Sequence, residues 1–491
     1  MTSPALRHDY AAALPEIVRP WSPTLPPRPE GGRGPELVAV NDALAADLEI
    51  DPAWVRGAEA LVVLGGRGIL PGSRPVAQAY AGHQFGGFSP VLGDGRAVLL
   101  GEIATPGGLR DIALKGSGRT TFSRGGDGRA VLGPVLREYL FGESMAALGV
   151  PTTRALAAVT TGDRVYRDGR MPPGTVLTRV AASHLRVGTF ELVARSLPQD
   201  ARAAVLPRLV AYAAARHHPS ADPGPGQGLA LLDAVVTAQA DLLAHWMSLG
   251  FVHGVMNTDN TTISGETIDY GPCAWVEAYD EDAVFSSIDT GGRYRFGHQP
   301  AVALWNLSRL AESLLPLVAE DPNIAVSQAT SILDQFGSRY HQAWLARLRA
   351  KLGLPDTRDE DAALVDDLLA GLADARADYT STWRLLAAHL RGQGAPGVPG
   401  VSEGWLARWR ARVPGDPRER AAAMDAVNPA YVPRNHLVDA ALVAAEEGDL
   451  APFERLLAAL TDPYADHPHR ADLATPAPPG FTERFVTFCG T

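Results

Sequence analysis

The sequence predicts an α+β fold of two lobes, in which a β-rich first part is followed by a larger helical part. Alternating apolar segments separated by glycine turns dominate up to about residue 190, and long amphipathic patterns follow from about residue 192. A chain of 491 residues is too long for one small domain. We therefore expect an extended N-terminal segment at 1–35, an N-terminal lobe at 36–190 and a helical C-terminal lobe at 191–491.

Composition and charge argue against several classes of protein. Hydrophobic residues make up 46% of the chain and charged residues 20%, which is ordinary for a globular protein. The net charge of −11 argues against a general nucleic-acid binder, which needs a basic face. No apolar run approaches the length of a membrane span, and the N-terminus lacks the apolar core of a signal peptide. These features predict a cytoplasmic enzyme without nucleic-acid or membrane partners.

The first predicted elements are an extended segment and a short helix. Residues 20–35 are rich in proline and glycine and are expected to wrap over a folded body. Apolar residues between Leu37 and Ile50 have helical spacing, and Asn41 or Asp42 is suited to cap that helix.

A glycine turn at 92–97 is the first candidate binding feature. Its run Leu-Gly-Asp-Gly-Arg-Ala is typical of a tight turn and leads into a predicted strand at 97–102. Gly93 and Gly95 allow backbone amides to approach a phosphate, and Arg96 adds positive charge. The same pattern is common in plain turns, so both interpretations stay open. The sequence has no Gly-Lys-Ser or Gly-Lys-Thr, which excludes a Walker-type phosphate loop.

Only two of the 44 basic residues are lysines, Lys115 and Lys351. Where arginine is used almost everywhere, a surviving lysine indicates a site that needs a compact ammonium group rather than a planar guanidinium. Lys115 ends an alternating run at 109–115 and is predicted to be a strand residue that faces a cleft. Lys351 ends an arginine-rich helical run and is predicted to be a solvated helix end.

A helix of about 15 residues follows Lys115, after a loop rich in glycine, hydroxyl groups and arginine. Pro134 suits the first turn of this helix, and Gly149 and Pro151 are expected to end it. Glu138 lies on the helix and could reach Lys115, as the αC glutamate reaches the strand lysine in kinases. An exposed helix glutamate is an equally good interpretation from the sequence alone.

The chain then continues as strands and turns, with predicted strands at 153–161 and 174–180. Arg179 and Arg186 are candidates for contacts with phosphate groups, although isolated arginines are usually surface residues. From residue 192 onward the chain is predicted to be mostly helical, with a long apolar helix at 227–249.

That long helix leads into a stretch at 251–271 with the polar residues His253, Asn257, Asp259, Asn260 and Asp269. We predict a hairpin here, with strands at 261–264 and 266–269 and Gly265 in the turn. Its open end would bring Asn260 and Asp269 together. Amide and carboxylate oxygens are ligands that Mg²⁺ prefers, and Asp259 is placed to orient or deprotonate a hydroxyl.

A base, an asparagine and a hairpin that ends in Asp-Tyr-Gly form the layout of kinase catalytic and metal loops. In ordinary protein kinases the asparagine lies about five residues after the base. Here Asp259 and Asn260 are adjacent. A polar surface hairpin is the alternative for this stretch alone. Together with the β-rich first part and the helical second part, the loop favours a protein-kinase-like fold with a nucleotide between the lobes.

Several long motifs strengthen that interpretation. They are Tyr-Ala-Gly-His-Gln-Phe-Gly-Gly-Phe at 80–88, Leu-Gly-Asp-Gly-Arg-Ala at 92–97, Leu-Lys-Gly-Ser-Gly-Arg-Thr at 114–120, Arg-Gly-Gly-Asp-Gly-Arg-Ala at 124–130, Arg-Glu-Tyr-Leu at 137–140, Ser-His-Leu-Arg-Val-Gly-Thr-Phe at 183–190, His-Gly-Val-Met-Asn-Thr-Asp-Asn at 253–260, Asp-Tyr-Gly-Pro at 269–272 and Asn-Pro-Ala-Tyr-Val-Pro-Arg-Asn at 428–435. From about residue 35 to the C-terminus, the chain resembles the selenoprotein O family. The resemblance implies a protein-kinase-like fold that binds ATP in a flipped orientation. It also implies transfer of AMP, rather than phosphate, to hydroxyl side chains of proteins.

The resemblance also implies roles for individual residues. Asp259 would be the proton acceptor, and Asn260 and Asp269 would be ligands of Mg²⁺ or Mn²⁺. The residues implied for the ATP site are Gly93, Gly95, Arg96, Lys115, Asp127, Gly128, Glu138, Arg179, Arg186 and Asp269. Its cations would grip the phosphates, with the lysine held by the glutamate. The implied partners are ATP and proteins with hydroxyl side chains.

The family often ends in a redox-active selenocysteine or cysteine, and this chain has Cys489 third from its end. Its other cysteine, Cys273, lies four residues after Asp269. The resemblance implies a reversible disulfide between Cys273 and Cys489. Two free thiols are the usual state in the cytoplasm and form the alternative.

Two other functions remain open from the sequence. The first is a small-molecule kinase that transfers the γ-phosphate, since its loop can carry a similar His-Gly and Asn/Asp arrangement. The second is an inactive nucleotide-binding scaffold, or pseudokinase. The joint presence of the lysine–glutamate pair and the loop carboxylates argues against this second function.

Overall fold

The structure confirms the α+β prediction, with a β-rich lobe followed by a larger helical lobe. It is a computed structural model that describes residues 3–25, 34–167, 169–220, 226–393 and 397–488. The strands are β1 (Val18–Pro20), β2 (Glu36–Val40), β3 (Val76–Gln78), β4 (Gly82–Gln84), β5 (Gly87–Ser89), β6 (Ala97–Thr105), β7 (Gly108–Lys115), β8 (Ala130–Val131), β9 (Arg154–Arg164), β10 (Pro173–Ala181), β11 (Phe251–Val252) and β12 (Ala274–Trp275). Eight of them form an antiparallel sheet in the order β1-β3-β6-β7-β10-β9-β2, with β8 paired to β10.

Helices make up most of the second lobe and also cover the sheet. They are α1 (Asp9–Ala13), α2 (Asp42–Asp47), α3 (Pro52–Val55), α4 (Ala58–Leu64), α5 (Leu132–Ala147), α6 (Val187–Glu191), α7 (Gln199–His217), α8 (Gln227–Leu249), α9 (Gln299–Leu314), α10 (Pro322–Leu333), α11 (Phe336–Lys351), α12 (Asp361–Ala375), α13 (Tyr379–Leu390), α14 (Glu403–Arg412), α15 (Pro417–Asp425), α16 (Asn435–Glu446) and α17 (Ala451–Leu460). One face of the sheet packs against α2 to α4, and the other belongs to the large core that α5 shares with α8 and α9.

Alternation along β7 and β10 places two cations on one face of the sheet. In the antiparallel register Lys115 lies opposite Leu177, and Ala113 lies opposite Arg179. Because strand side chains alternate between faces, Lys115 and Arg179 share the face that looks toward the helical lobe. Leu114, between Ala113 and Lys115, packs into the core under α2 to α4. The strand predicted to end at Lys115 is therefore confirmed.

Two predicted helices are present, one with changed limits. α5 has 16 residues and carries Pro134 in its first turn, as predicted. The helix predicted from Leu37 to Ile50 begins only at Asp42, where the Asn41 side chain accepts a hydrogen bond from the backbone N–H of Leu44 at 3.0 Å. The preceding residues form β2 instead, because their backbone pairs with β9.

The start of the chain is more regular than the predicted extended segment. α1 is helical, and β1 adds an edge strand to the sheet by pairing with β3. Tyr10, Leu14 and Ile17 are buried in the core, and this burial stabilises the regular structure. Part of the predicted extended course falls on residues 26–33, which lie outside the described residues.

The hairpin predicted at 261–269 is wrong. Thr262 forms an isolated bridge with Arg186, and Thr267 forms another with Thr152. The backbone of the stretch bonds outward to those two neighbouring segments rather than across Gly265. Tertiary partners thus replace the local ladder, which a short-range sequence pattern does not reveal.

α8 is long and apolar enough to cross a membrane by length and composition alone, contrary to the expectation from the sequence. In its most apolar 18-residue window, 56% of the residues are buried inside the structure. Leu231, Val235 and Leu243 belong to the large core. The apolar residues of α8 therefore pack in the core of the second lobe.

Lys351 is buried, and the prediction of a solvated helix end is wrong. Its side chain lies at the end of α11 with an exposed fraction of 4%. The ammonium nitrogen is 4.7 Å from the centroid of the Trp383 ring. Burial lowers the pKa of Lys351 to about 7, because the charged form loses hydration. α13 and α15 cover this end of α11. Both helices come later in the chain, so the burial of Lys351 depends on residues far from it in sequence.

Stability should therefore depend on pH through Lys351. Its pKa is about 7 in the fold and about 10.4 in an unfolded chain. Between these values the unfolded chain binds more protons, so this contribution to stability falls as the pH is lowered and then levels off below about 7. We expect Lys351→Met to become steadily more stable relative to the natural protein as the pH falls through this range. Denaturant unfolding at several pH values measures the difference.

Lys351→Arg is the matched control for this prediction. Arginine keeps its charge throughout the range, so this variant should be destabilised at every pH and most strongly at high pH. Equal pH dependence of the free energy of unfolding in the natural protein and in Lys351→Met would contradict the assignment.

Candidate active site

A cavity of about 320 Å³ lies between the sheet and the 251–271 loop. The predicted site residues that line it are Gly93, Gly95, Arg96, Lys115, Asp127, Gly128, Arg179, Arg186, Asp259, Asn260 and Asp269. Glu138 lines an adjoining cavity of about 400 Å³. A larger groove of about 930 Å³ in the helical lobe contains none of these residues. The converging charges, rather than size, identify the smaller cavity as the candidate site.

Two cations and two carboxylates form one cluster, in which Lys115 lines both this cavity and the adjoining one. The Lys115 ammonium donates to Glu138 Oε2 at 2.6 Å and to Asp269 Oδ1 at 2.7 Å. The Arg179 guanidinium donates to the same Asp269 oxygen at 2.7 Å and to Glu138 Oε1 at 3.2 Å. The cluster joins β7, β10, α5 and the loop, so the contact between Lys115 and Glu138 considered from the sequence is present.

Asp269 occupies an uncommon backbone conformation, with φ of 60°. Few residues other than glycine adopt this region, and such strain clusters at functional sites. Burial alone would raise its pKa, but Lys115, Arg179 and Arg186 hold the pKa of Asp269 well below its usual range. The carboxylate is therefore ionised at neutral pH and concentrates three cations at one point.

Arg186 is fully buried beside this cluster. Its guanidinium lies 3.5 Å from Asp269 Oδ2, 3.9 Å from Asp94 Oδ1 and 4.4 Å from the centroid of the Tyr80 ring. Burial raises the pKa of the Asp94 carboxyl to about 6 despite the nearby arginine. Sequence analysis missed Asp94, although its position between Gly93 and Gly95 in the glycine turn could have indicated that it lines the same cavity.

A second set of buried polar residues orients Arg179 from behind. Its Nε–H donates to His184 Nε2 at 3.1 Å, and His184 Nδ1 donates to Asp111 Oδ2 at 2.9 Å. Arg216 pairs with the other oxygen of Asp111. Burial lowers the pKa of His184 to about 4, so the ring is neutral and Nε2 can accept a hydrogen bond. Sequence analysis missed this set, whose members come from three separate elements.

Asp259 lines the same cavity and lies in a short 3₁₀ turn. Its Oδ2 accepts a hydrogen bond from Gln84 Nε2 at 3.2 Å, whereas Oδ1 is buried and has no hydrogen-bond partner among the described residues. Burial raises the pKa of Asp259 to about 6. A Cβ at Gly82 would lie 2.8 Å from Oδ1, so a larger residue there would displace the carboxylate. An unsatisfied buried carboxylate oxygen is suited to accept a proton from a bound molecule.

Asn260 and Asp269 are close enough to line one cavity, as the sequence predicted, although no hairpin joins them. The Asn260 NH₂ group donates to the Val255 carbonyl at 2.9 Å, which points the amide oxygen the other way. No group of three or more His, Cys, Asp or Glu side chains within the described residues could hold a metal ion. The donors present fit Mg²⁺, which commonly uses one or two protein oxygens together with substrate phosphates.

The glycine-rich loops close the cavity from above. Gly93 has φ of 69°, and a Cβ there would lie 2.3 Å from the Phe122 ring. Gly128 has φ of 67°, and a Cβ there would lie 2.1 Å from the Gly118 carbonyl oxygen. Asp127 pairs with Arg167 at 2.8 Å, and this pairing orders the loop. The loops thus bring backbone amides and arginines to the cavity, which suits an anion with several phosphates.

The described end of the C-terminal tail reaches this region. Thr487 Oγ1 donates to the Pro272 carbonyl at 2.7 Å, and the Thr487 N–H donates to the Phe285 carbonyl at 2.8 Å. Cys273 is completely buried next to Pro272. Cys489, the other half of the predicted disulfide, lies outside the described residues.

Similar proteins are known for nearly the whole chain. A family model described as "Protein adenylyltransferase SelO" matches residues 31–461. A protein nucleotidyltransferase YdiU of Cereibacter sphaeroides is 54% identical over 464 residues, covering 93% of this chain and 94% of the relative. The protein of that name from Mycolicibacterium paratuberculosis is 52% identical over 503 residues, covering 100% of this chain and 99% of the relative. The one from Mycolicibacterium smegmatis is 52% identical, covering 99% and 98%.

Proposed function

Since this chain belongs to the SelO family of protein adenylyltransferases, we propose that it transfers AMP from ATP to serine, threonine or tyrosine hydroxyls of proteins and releases pyrophosphate. That it is a nucleotidyltransferase follows from the family. The acceptor residues, the metal and the individual roles belong to the proposal. The observation that carries it is one cavity lined by the three cations Lys115, Arg179 and Arg186 and by Asp259, whose Oδ1 is buried without a hydrogen-bond partner among the described residues.

The phosphates of ATP are bound by these three cations. Lys115, Arg179 and Arg186 can neutralise the triphosphate, and the glycine loop with Arg96 covers it. Glu138 fixes the direction of the lysine, and Asp127 and Gly128 shape the loop above it. Preorganised cations of this kind stabilise the charge that accumulates on a departing pyrophosphate.

The acceptor hydroxyl lies at Asp259. Its oxygen attacks the α-phosphorus and forms a new P–O bond, while the bond to the bridging α–β oxygen breaks. The hydroxyl proton passes to Asp259, and pyrophosphate leaves with the bonding electrons. The buried carboxylate positions the hydroxyl and accepts its proton in the same step.

A divalent ion, Mg²⁺ or Mn²⁺, completes the proposed site. Asn260 and Asp269 would hold it, and it would neutralise negative charge on the phosphates of ATP. In this arrangement Asp269 serves two purposes, because the same carboxylate also positions Lys115 and Arg179.

A kinase that transfers the γ-phosphate is the competing function, since a lysine–glutamate pair and a metal loop also serve kinases. The family favours AMP transfer, and the flipped orientation of ATP comes from the family alone. The test is to measure which phosphorus of ATP is transferred to protein. The acceptor protein should take up label from the α-phosphorus, and label at the γ-phosphorus should appear in pyrophosphate. We also propose that the protein works in the cytoplasm, where ATP is supplied.

A reversible disulfide between Cys273 and Cys489 is a further part of the proposal. Thr487 is held beside Pro272, and two residues span at most about 7 Å, so Cys489 can reach Cys273. Burial raises the pKa of the Cys273 thiol to about 12, so this proposal has Cys489 react first with the oxidant. Oxidised glutathione supplies the oxidising equivalents. Peptide mapping without reductant should then recover the linked pair.

Cys273→Ser is the control for the mapping experiment. It should leave Cys489 as a mixed disulfide with glutathione and yield no linked peptides. Two free thiols in the natural protein after oxidation would contradict the pairing. If the bond forms but activity is the same with and without reductant, the bond has no regulatory role.

A further inference from the structure

The β4–β5 hairpin borders the candidate base. The His83 N–H donates to Thr258 Oγ1 at 2.7 Å, and Gln84 Nε2, next to the turn, donates to Asp259 Oδ2 at 3.2 Å. These contacts tie β4 directly to the 3₁₀ turn that carries Asp259. The hairpin is therefore placed to contact a protein segment whose hydroxyl reaches Asp259.

The tip of the hairpin is strained and held by the loop. Phe85 has φ of 51°, which is rare for a bulky residue. Its N–H donates to Asn257 Oδ1 and to Tyr294 Oη, each at 3.1 Å. Strain of this kind persists where the surroundings fix it, and it clusters at functional sites. Here it fixes the position of an aromatic side chain.

The hairpin presents apolar side chains to solvent. Phe85 is 40% exposed and Phe88 is 36% exposed, and Val91, just after the hairpin, is 52% exposed. These three side chains follow one another within one short stretch of the chain. Exposed aromatic residues on a rigid element next to a catalytic cleft are typical of a protein-binding surface.

A cation without a carboxylate partner lies beside the tip. The Arg293 guanidinium is 4.8 Å from the centroid of the Trp305 ring, and its atoms lie against Gly86. Within the described ranges, no carboxylate lies within 4.0 Å of this guanidinium. The neighbouring arginines differ, because Arg195 and Arg309 both pair with Glu312. A partly desolvated, unneutralised cation is complementary to an acidic side chain.

From these contacts we infer that the hairpin and Arg293 bind the acceptor protein. The occupant is a segment that carries the modified hydroxyl, an apolar side chain that packs on Phe85 and Phe88, and a carboxylate that pairs with Arg293. This inference rests on the proposed function, since it names what the acceptor must look like. A basic acceptor segment is disfavoured, because its charge would be repelled by Arg293.

Peptides provide the test. Each carries one serine, threonine or tyrosine, with flanking positions varied among glutamate, lysine, leucine and alanine, and transfer is followed from α-labelled ATP. The natural protein should prefer peptides with both glutamate and leucine over those with lysine by about tenfold in kcat/KM. Arg293→Glu should reverse the preference for charge, and Phe88→Ala should reduce the preference for leucine. ATP affinity should be unchanged in both variants.

Val62→Ala is the matched control, since Val62 is 43% exposed on α4 and does not belong to the site. It should leave every preference intact. Transfer without flanking preference, or the same preference in Arg293→Glu, would overturn the docking surface and leave AMP transfer standing. Absence of label from all peptides and proteins with α-labelled ATP would overturn both.

Discussion

Replacement of Asp259 by alanine is expected to slow AMP transfer by about 10²- to 10⁴-fold and to leave ATP affinity within about threefold. Its carboxylate makes no ion pair with Lys115 or Arg179, so the cluster that these two cations form with Glu138 and Asp269 should remain intact. The lost function is acceptance of the hydroxyl proton, which affects the transition state rather than nucleotide binding. Single-turnover transfer and calorimetric ATP titration measure the two effects separately.

Asp94→Asn is a suitable control for that experiment. Asp94 is also buried in the same cavity with a pKa of about 6, but its Oδ2 accepts the Gln78 N–H at 2.9 Å, which asparagine can also do. Its loss of turnover should be far smaller. Complete loss of ATP binding in Asp259→Ala would show that the assigned role is wrong.

Replacement of Asp269 by alanine should instead weaken metal-dependent ATP binding by more than about tenfold and abolish transfer. The change removes a proposed metal ligand and leaves Lys115, Arg179 and Arg186 without their shared carboxylate. Breaking a buried ion pair by removing one partner is strongly destabilising, by about 3–5 kcal/mol in other proteins. A lower melting temperature should accompany the loss.

The dependence on Mg²⁺ separates the two contributions of Asp269. In the natural protein ATP affinity should rise with Mg²⁺ concentration, whereas in Asp269→Ala it should not respond. Bound ATP should restore part of the lost stability, because its phosphates can pair with the cations that have lost the Asp269 carboxylate. An Asp269→Ala protein with normal Mg²⁺-dependent affinity would remove this residue from the metal site.

Features set by short-range patterns were predictable from the sequence. The β7 strand ending at Lys115, the α5 helix with Pro134 in its first turn, and the α8 helix follow from local alternation, caps and glycine stops. Because Glu138 lies on α5 and Lys115 ends β7, their contact could be considered before the structure. The glycine turn at 92–97 likewise indicated one wall of the cavity.

Features set by distant partners were not predictable in this way. The 261–269 stretch bonds to segments near Thr152 and Arg186 instead of folding on itself. Lys351 is buried by helices that arrive later in the chain. His184 and Asp111 meet Arg179 only when β7, β10 and the segment before α6 come together. Each case depends on contacts between residues far apart in sequence.

Transfer from ATP labelled at either the α- or the γ-phosphorus tests the central claim most directly. Purified protein is incubated with Mg²⁺ and each labelled ATP, with Asp269→Ala alongside, and label in protein is quantified. We predict incorporation from the α position, release of γ-label as pyrophosphate, and loss of incorporation in Asp269→Ala. Incorporation from the γ position alone would contradict AMP transfer and identify a kinase.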